Sequence, residues 1–133
     1  MNNVERVYNY LNEVGAYSLA TLDKDQPRVR IFGTILLVDN KLYIQTGKKK
    51  DVSKQLFLNP KAELIACKGE DWLRVTCELK EKDDRDIRVA MLDKMPSLRM
   101  MYNEDDGNMV MFEITNAVAT FSSFTKPSET IDL

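Results

Sequence analysis

The sequence contains no histidine. That absence removes an imidazole base, a Ser–His pair and any His-ligated metal, so chemistry in this chain must run through other groups. Cysteine is almost as scarce: Cys67 and Cys77 make neither a disulfide framework nor a metal quartet. The run Lys68-Gly69-Glu70-Asp71 reads as a hairpin turn that sets Cys67 opposite residue 72 and leaves Cys77 further along, so the two thiols are not expected to pair. They read as small buried hydrophobes, with a redox thiol as the alternative. No apolar run approaches the roughly 18 residues of a membrane-spanning helix. The opening Met1–Arg6 lacks the basic and apolar regions of a signal peptide, which sets the expectation of a cytoplasmic protein without a membrane partner. Net charge is nearly absent too, at −2. Residues 1–66 carry ten basic and seven acidic side chains, residues 67–133 nine and fourteen. An asymmetry this mild does not hold a nucleic-acid duplex, but it can focus one small anion on the first half.

With 44% hydrophobic and 30% charged residues over 133 positions, the chain has the composition of one globular domain with one core. Val4, Val7, Tyr8, Leu11 and Val14 recur at helical spacing, with Asn2 or Asn3 as a cap and Gly15 as a stop. Strands are predicted over Tyr17–Leu22, over a long run Arg28–Val38, and over Lys41–Thr46, separated by turns. After Gly47 the period changes: Val52, Leu56 and Phe57 mark a helix that Asn59-Pro60 ends. Ala62–Cys67 and Trp72–Lys80 form a second hairpin, Asp83-Asp84 caps a further helix, and Pro96 opens a short helical turn. Met109–Ile114 and Val118–Phe124 read as two closing strands, and 126–133 as a polar, mobile tail after a domain spanning 1–125. Seven short strands with helices at their ends suggest an α+β domain built on a closed or nearly closed antiparallel barrel.

Chemistry concentrates where a strand meets a helix, at Thr46-Gly47-Lys48-Lys49-Lys50-Asp51. A phosphate there would meet backbone N–H groups, a glycine permitting close approach, and ammonium charges; the alternative is a solvated lysine face. Arg28 and Arg30 share one face of the preceding strand by alternation. They are either exposed strand residues or the second wall of the same anion site. The acidic groups at 83–86 and 104–106 lack the spacing of a calcium loop and read as capping or solvated charges. Six methionines between 91 and 111 fit either core packing or an adjustable pocket, beside which Tyr102 can supply a hydroxyl.

The ordered segments Leu19-Ala20-Thr21, Pro27-Arg28-Val29-Arg30, Leu42-Tyr43-Ile44-Gln45-Thr46-Gly47, Lys50-Asp51-Val52, Gln55-Leu56 with Asn59-Pro60, and Trp72-Leu73-Arg74-Val75 resemble the pyridoxamine 5′-phosphate oxidase-like family of FMN-binding split barrels. The branch that includes the nitroimidazole-resistance reductases is the nearer likeness, and it extends over Met95-Pro96-Ser97-Leu98 and Asp105-Asp106-Gly107. The resemblance implies an α+β, six-stranded antiparallel split β-barrel with short flanking helices, forming a homodimer with FMN at the interface. It implies phosphate contacts from Arg30 and from the loop of Lys48, with Lys49 and Lys50 favoured, and backbone contacts to the flavin from Ile31, Phe32 and Gly33. Thr46 would flank the phosphate or the ribityl chain, and Arg28 and Gly47 complete that end of the site.

Trp72 and Arg74 match a strand that reaches the flavin of the other protomer, where a cation would stabilise negative charge on the reduced ring. Without the resemblance, Trp72 is a core or interface aromatic and Arg74 a cross-strand ion pair. The activity implied is an FMN-dependent oxidoreductase acting on a small molecule, with NAD(P)H a candidate donor and no catalytic side chain required. The alternatives are a flavin carrier without its own substrate, or a barrel for a deazaflavin or haem. The basic and aromatic carboxy-terminal segment of the oxidase proper is not matched after Phe124, so vitamin-B6 oxidation is not expected.

Overall fold

Helix α1 (Asn3–Val14) starts where the sequence offers a cap. The Asn2 side chain accepts the Glu5 N–H at 2.9 Å, and the Glu5 carboxylate accepts the Asn2 N–H at 3.2 Å, satisfying two donors that a helix start leaves orphaned. Gly15, at φ 83°, closes the helix by donating its N–H to the Leu11 carbonyl, a conformation that costs glycine little. The buried face of α1, Val7 and Leu11, joins the main core. The computed structural model describes residues 1–133.

Eight strands follow: β1 (Tyr17–Asp23), β2 (Gln26–Phe32), β3 (Leu36–Val38), β4 (Lys41–Gly47), β5 (Lys61–Lys68), β6 (Asp71–Glu81), β7 (Met109–Ser123) and β8 (Glu129–Asp132). Helix α2 (Asp51–Leu58) lies between β4 and β5, and α3 (Arg85–Lys94) with a 3₁₀ turn (Pro96–Met100) between β6 and β7. The sheet runs β2-β1-β5-β6-β7-β4-β3, antiparallel throughout, with β8 paired to β7. Its two end strands, β2 and β3, are consecutive in the chain and joined only by Gly33, Thr34 and Ile35. The sheet must therefore curl until its ends meet, and the seam where β2 and β3 stay unpaired is the split of the barrel. Thr34 stitches that seam: its hydroxyl donates to the Gln45 carbonyl at 3.2 Å and accepts the Gln45 N–H at 2.9 Å, while its carbonyl accepts the Tyr17 hydroxyl at 2.7 Å.

The α+β split barrel is the expected fold, with eight strands rather than six. The run 28–38 is not one strand, because at Gly33–Ile35 the chain leaves β1 and passes to β4. Conversely, 109–124 is not two strands but the single β7, which bends at a register shift opposite Thr76 and Glu78. Asn116, at φ 48°, takes up that bend in a left-handed conformation asparagine tolerates better than most residues. The tail from Lys126 carries β8, and Ile131 and Leu133 pack on the core. Cys67 stands opposite Trp72 as expected, but it is exposed because it falls on the outward side of β5. Cys77 faces inward, and burial pushes its thiol up to about 12. Of the clustered methionines, Met91, Met109 and Met111 are buried with Leu36, Tyr43, Ile87, Leu92 and Tyr102 in a second core, whereas Met100 and Met101 are exposed. No helix is long and apolar enough to cross a membrane.

The acidic loop is ordered by its own charges. Burial disfavours ionising Asp106, but the N–H groups of Met109, Asn103 and Asn108 outweigh it and hold the carboxyl below its ordinary range. Hydrogen bonds from its own backbone N–H and from Arg99 lower Glu104, a hydrogen bond from Arg85 lowers Asp105, and one from Arg6 lowers Glu129. A carboxylate depressed in the folded state contributes stability that is full above its unfolded pKa, about 4, and is lost as pH falls through the folded value. Thermal melting points are therefore expected to be flat near neutrality and to fall below about pH 4. In Asp106→Asn that acid slope should be shallower; an unchanged slope would remove Asp106 from the effect.

Candidate functional site

Strand β4 delivers the chain to α2 through a tightly held loop. The Lys48 N–H donates to the Asn108 carbonyl at 2.7 Å and the Lys49 N–H to the Asn108 side chain at 3.1 Å. The Ser53 hydroxyl donates to the Gly47 carbonyl at 2.7 Å. Gly47 permits a close approach here: a Cβ would lie 3.1 Å from both the Asn108 amide nitrogen and the Tyr102 hydroxyl, so a larger residue would push those side chains aside. Lys50 is the N-cap of α2 and provides no side-chain cap. The N–H groups of Asp51 and Val52 have no partner in the protein, leaving donors and the positive end of the helix dipole facing outward.

Arg30 sits against this helix. Its guanidinium donates to the Thr21 hydroxyl at 2.7 Å, to the Gln55 side-chain oxygen at 2.9 Å, and to the Leu19 and Arg28 carbonyls at 3.2 and 3.3 Å. Thr21 also donates to Gln55, at 2.6 Å. Every acceptor is neutral, so the arginine is oriented without being neutralised. Partial burial lowers its pKa and nearby Asp51 opposes the shift, and a guanidinium stays charged regardless. An oriented, unpaired cation is the electrostatic requirement of an anion site.

Arg30 lines an open cleft of about 920 Å³ together with Arg28, Lys24, Lys50, Lys54, Asp51 and Gln55. Arg28 is partly engaged by Asp23 at 3.3 Å, and Lys50 and Lys54 form no salt bridge. A second, shallow cleft of about 170 Å³ runs between Ile31, Phe32, Gly33 and Thr34 on one side and Gln45, Thr46, Leu98, Met101 and Tyr102 on the other. Lys50 lines both, so the two form one groove along β2. Because β2 is an end strand, its outer edge offers main-chain N–H and C=O groups to that groove.

The structure thus brings together Arg28, Arg30, Ile31, Phe32, Gly33, Thr46 and Lys50, with Gly47 buried behind them. Lys49 is exposed and lines neither cleft; its backbone serves the loop instead. Trp72 and Arg74 lie on the outer face of the sheet and line neither cleft, but Trp72 shares a third, open cleft of about 400 Å³ on that face with Ile31. Trp72 packs on Phe124 with ring centroids 5.0 Å apart, and Arg74 pairs with Glu63 at 2.6 Å. Sequence reasoning did not single out Thr21, Gln55 or Lys54. Thr21 carried a signal: it takes a core-facing position in β1 after Tyr17 and Leu19, where a hydroxyl needs a partner. No cluster of three or more acidic or thiol side chains is arranged to hold a metal.

No protein-family model matches the chain, and no curated protein matches it. Among solved structures, a NimC/NimA family protein from Clostridium acetobutylicum is 37% identical, with a TM-score of 0.94 over 98% of this chain and 92% of that one. A heme binding protein from Mycobacterium smegmatis has a TM-score of 0.77 at 12% identity, over 99% of this chain and 58% of that one. A pyridoxamine 5′-phosphate oxidase-related, FMN binding protein from Nostoc punctiforme has a TM-score of 0.65 at 12% identity, over 98% and 94%. The last two share the fold.

Proposed function

Because the chain belongs to the NimC/NimA family of pyridoxamine 5′-phosphate oxidase-like split barrels, we propose that it binds FMN in the groove along β2 and serves a redox reaction on a small molecule. The observation that carries this reading is Arg30, a cation fixed by four neutral oxygens beside the uncapped start of α2 and beside Lys50. That is a donor set for a phosphate monoester. The backbone of residues 31–33 continues from it along an open strand edge, which suits the polar rim of a flat heterocycle. When bound, the flavin supplies hydride or electron transfer through its N5, and the protein contributes position and electrostatics. Histidine is then dispensable.

A second copy of the chain belongs to this reading. The outer face of the sheet exposes Val29, Ile31 and Phe124 at 69%, 69% and 82%, with Val118 beyond them. Apolar groups on that scale favour a partner surface. A homodimer formed there would carry Trp72 and Arg74 toward the partner's groove, where Arg74 would exchange Glu63 for the reduced ring as its counter-charge. A carrier without its own substrate would bind the same flavin, and turnover with NAD(P)H and an acceptor separates the two. Haem fits less well, since only Cys, Met or Tyr could ligate its iron.

The expected result for purified protein is a yellow dimer with flavin absorbance, from which a cofactor of the mass of FMN is extracted. A colourless protein that also takes up no added FMN would overturn the proposal. A monomer by sedimentation, with FMN bound, would remove only the interfacial role of Trp72 and Arg74.

A further inference from the structure

The loop that enters α2 is aimed from a distant part of the chain. Two of its successive N–H groups are taken by one residue, Asn108: the Lys48 N–H by its carbonyl at 2.7 Å and the Lys49 N–H by its side-chain oxygen at 3.1 Å. The Lys50 N–H turns back to the Gly47 carbonyl at 3.1 Å. The donors of 48, 49 and 50 are thus consumed inside the protein. The first left for an outside acceptor are those of Asp51 and Val52, and both residues line the larger cleft.

Asn108 lines neither that cleft nor the smaller one. It reaches the loop because it directly precedes β7, whose first residue, Met109, pairs with Gly47. Asp106 fixes it from behind, its carboxylate accepting the Asn108 and Met109 N–H groups, both at 2.8 Å. Gly47 leaves room for the Asn108 side chain, whose amide nitrogen would lie 3.1 Å from a Cβ there. The lysines do little to hold the turn themselves. Lys49 and Lys50 are exposed, and of the three only Lys48 is paired, with Glu81 at 3.4 Å.

We propose that Asn108 is a positioning residue for the anion site: by occupying the donors of 48 and 49 it fixes the peptide planes leading into α2, and so presents the donors of 51 and 52 already aimed at a phosphate. The inference rests on the phosphate end of the flavin reading and adds to it a residue that touches no ligand. Without the Asn108 side chain the Lys49 N–H is released, and the turn gains conformations that binding must then remove. The carbonyl half of the clamp survives any substitution, so the side chain's share is measured alone.

The test titrates FMN and riboflavin by fluorescence against the wild type, Asn108→Ala, Asn108→Asp and Asn103→Ala. Asn108→Ala is expected to weaken FMN by roughly three- to tenfold and riboflavin, which lacks the phosphate, by less than about twofold. Asn108→Asp keeps the acceptor, so once raised salt screens its added charge it should match the wild type at the same salt. Asn103→Ala removes the acceptor of the Asp105 N–H in the same loop, and should lower the melting point without changing the ratio of FMN to riboflavin affinity. Equal losses for both flavins in Asn108→Ala, no loss for FMN, or the same change of ratio in Asn103→Ala would overturn the positioning role. Inorganic phosphate, followed by the NMR shifts of the Asp51 and Val52 amides, separates this from failure of the flavin reading. A wild type that binds phosphate there but no flavin, and binds it more weakly in Asn108→Ala, keeps the positioning role and overturns the flavin. If neither phosphate nor FMN moves those amides, the positioning role is overturned, whether or not FMN binds.

Discussion

Replacing Arg30 and Lys50 together with alanine is expected to weaken FMN binding by roughly two to four orders of magnitude, since charge-assisted contacts contribute about 1.5–3 kcal/mol each. The two residues should not share the loss equally. Arg30 is held by four neutral acceptors in a partly buried position, so its orientation is settled before the phosphate arrives. Lys50 is exposed and must be immobilised on binding, and solvent and salt weaken its contribution. Arg30→Ala should therefore cost more than Lys50→Ala, and raising the salt concentration should erode the Lys50 contribution first. Riboflavin, which lacks the phosphate, provides the control: its weaker binding should be nearly the same in the double variant and the wild type. Unchanged FMN affinity in the double variant would place the phosphate elsewhere. The fold is expected to survive, because the Thr21–Gln55 hydrogen bond at 2.6 Å still ties β1 to α2 when the guanidinium is gone.

That hydrogen bond also shows where sequence reading stops. Local rules were enough for Asn2 and Gly15 at the ends of α1, for Asp84 capping α3 through the Asp86 N–H, and for the turn at 68–71. Each depends on residues within a few positions of one another. Arg28, Arg30 and Lys50 were legible as chemistry because charge, alternation and a strand–helix junction are written locally. Thr21, Arg30 and Gln55 meet only because β1 and β2 pair in the register Leu19 with Arg30 and Thr21 with Arg28, and because α2 docks across them. Nothing within one segment encodes that meeting. The same holds for the Gly33–Ile35 break. Propensity continues through it, and only the need of the two end strands to diverge around the barrel interrupts the run. Tyr102 comes to the groove from the far side of α3 and the 3₁₀ turn, a placement fixed by packing of the second core.

The main core makes a separate demand on the same site, and Phe112→Ala is expected to expose it by lowering folding stability about 3–5 kcal/mol, the usual cost of truncating a buried phenylalanine. Phe112 is 1% exposed and stands where β7 changes partners, opposite Ile44 of β4 on one side and Glu81 of β6 on the other. Its ring lies 5.6 Å from that of Phe57, and it shares the core with Val52 and Leu56, so it forms part of the bed on which α2 rests. Phe57 itself is 48% exposed, and Phe57→Ala should cost much less. Urea unfolding measures both; a loss below about 1 kcal/mol for Phe112→Ala would mean that the neighbouring side chains refill the space. Since FMN binds the folded state, saturating ligand should raise the melting point of Phe112→Ala as well as that of the wild type. Any loss of FMN affinity in the folded variant would then report a displaced α2, because Phe112 lines neither cleft. The two substitutions fail in opposite ways: Arg30→Ala with Lys50→Ala removes the charge and keeps the platform, whereas Phe112→Ala keeps the charge and loosens the platform that aims it.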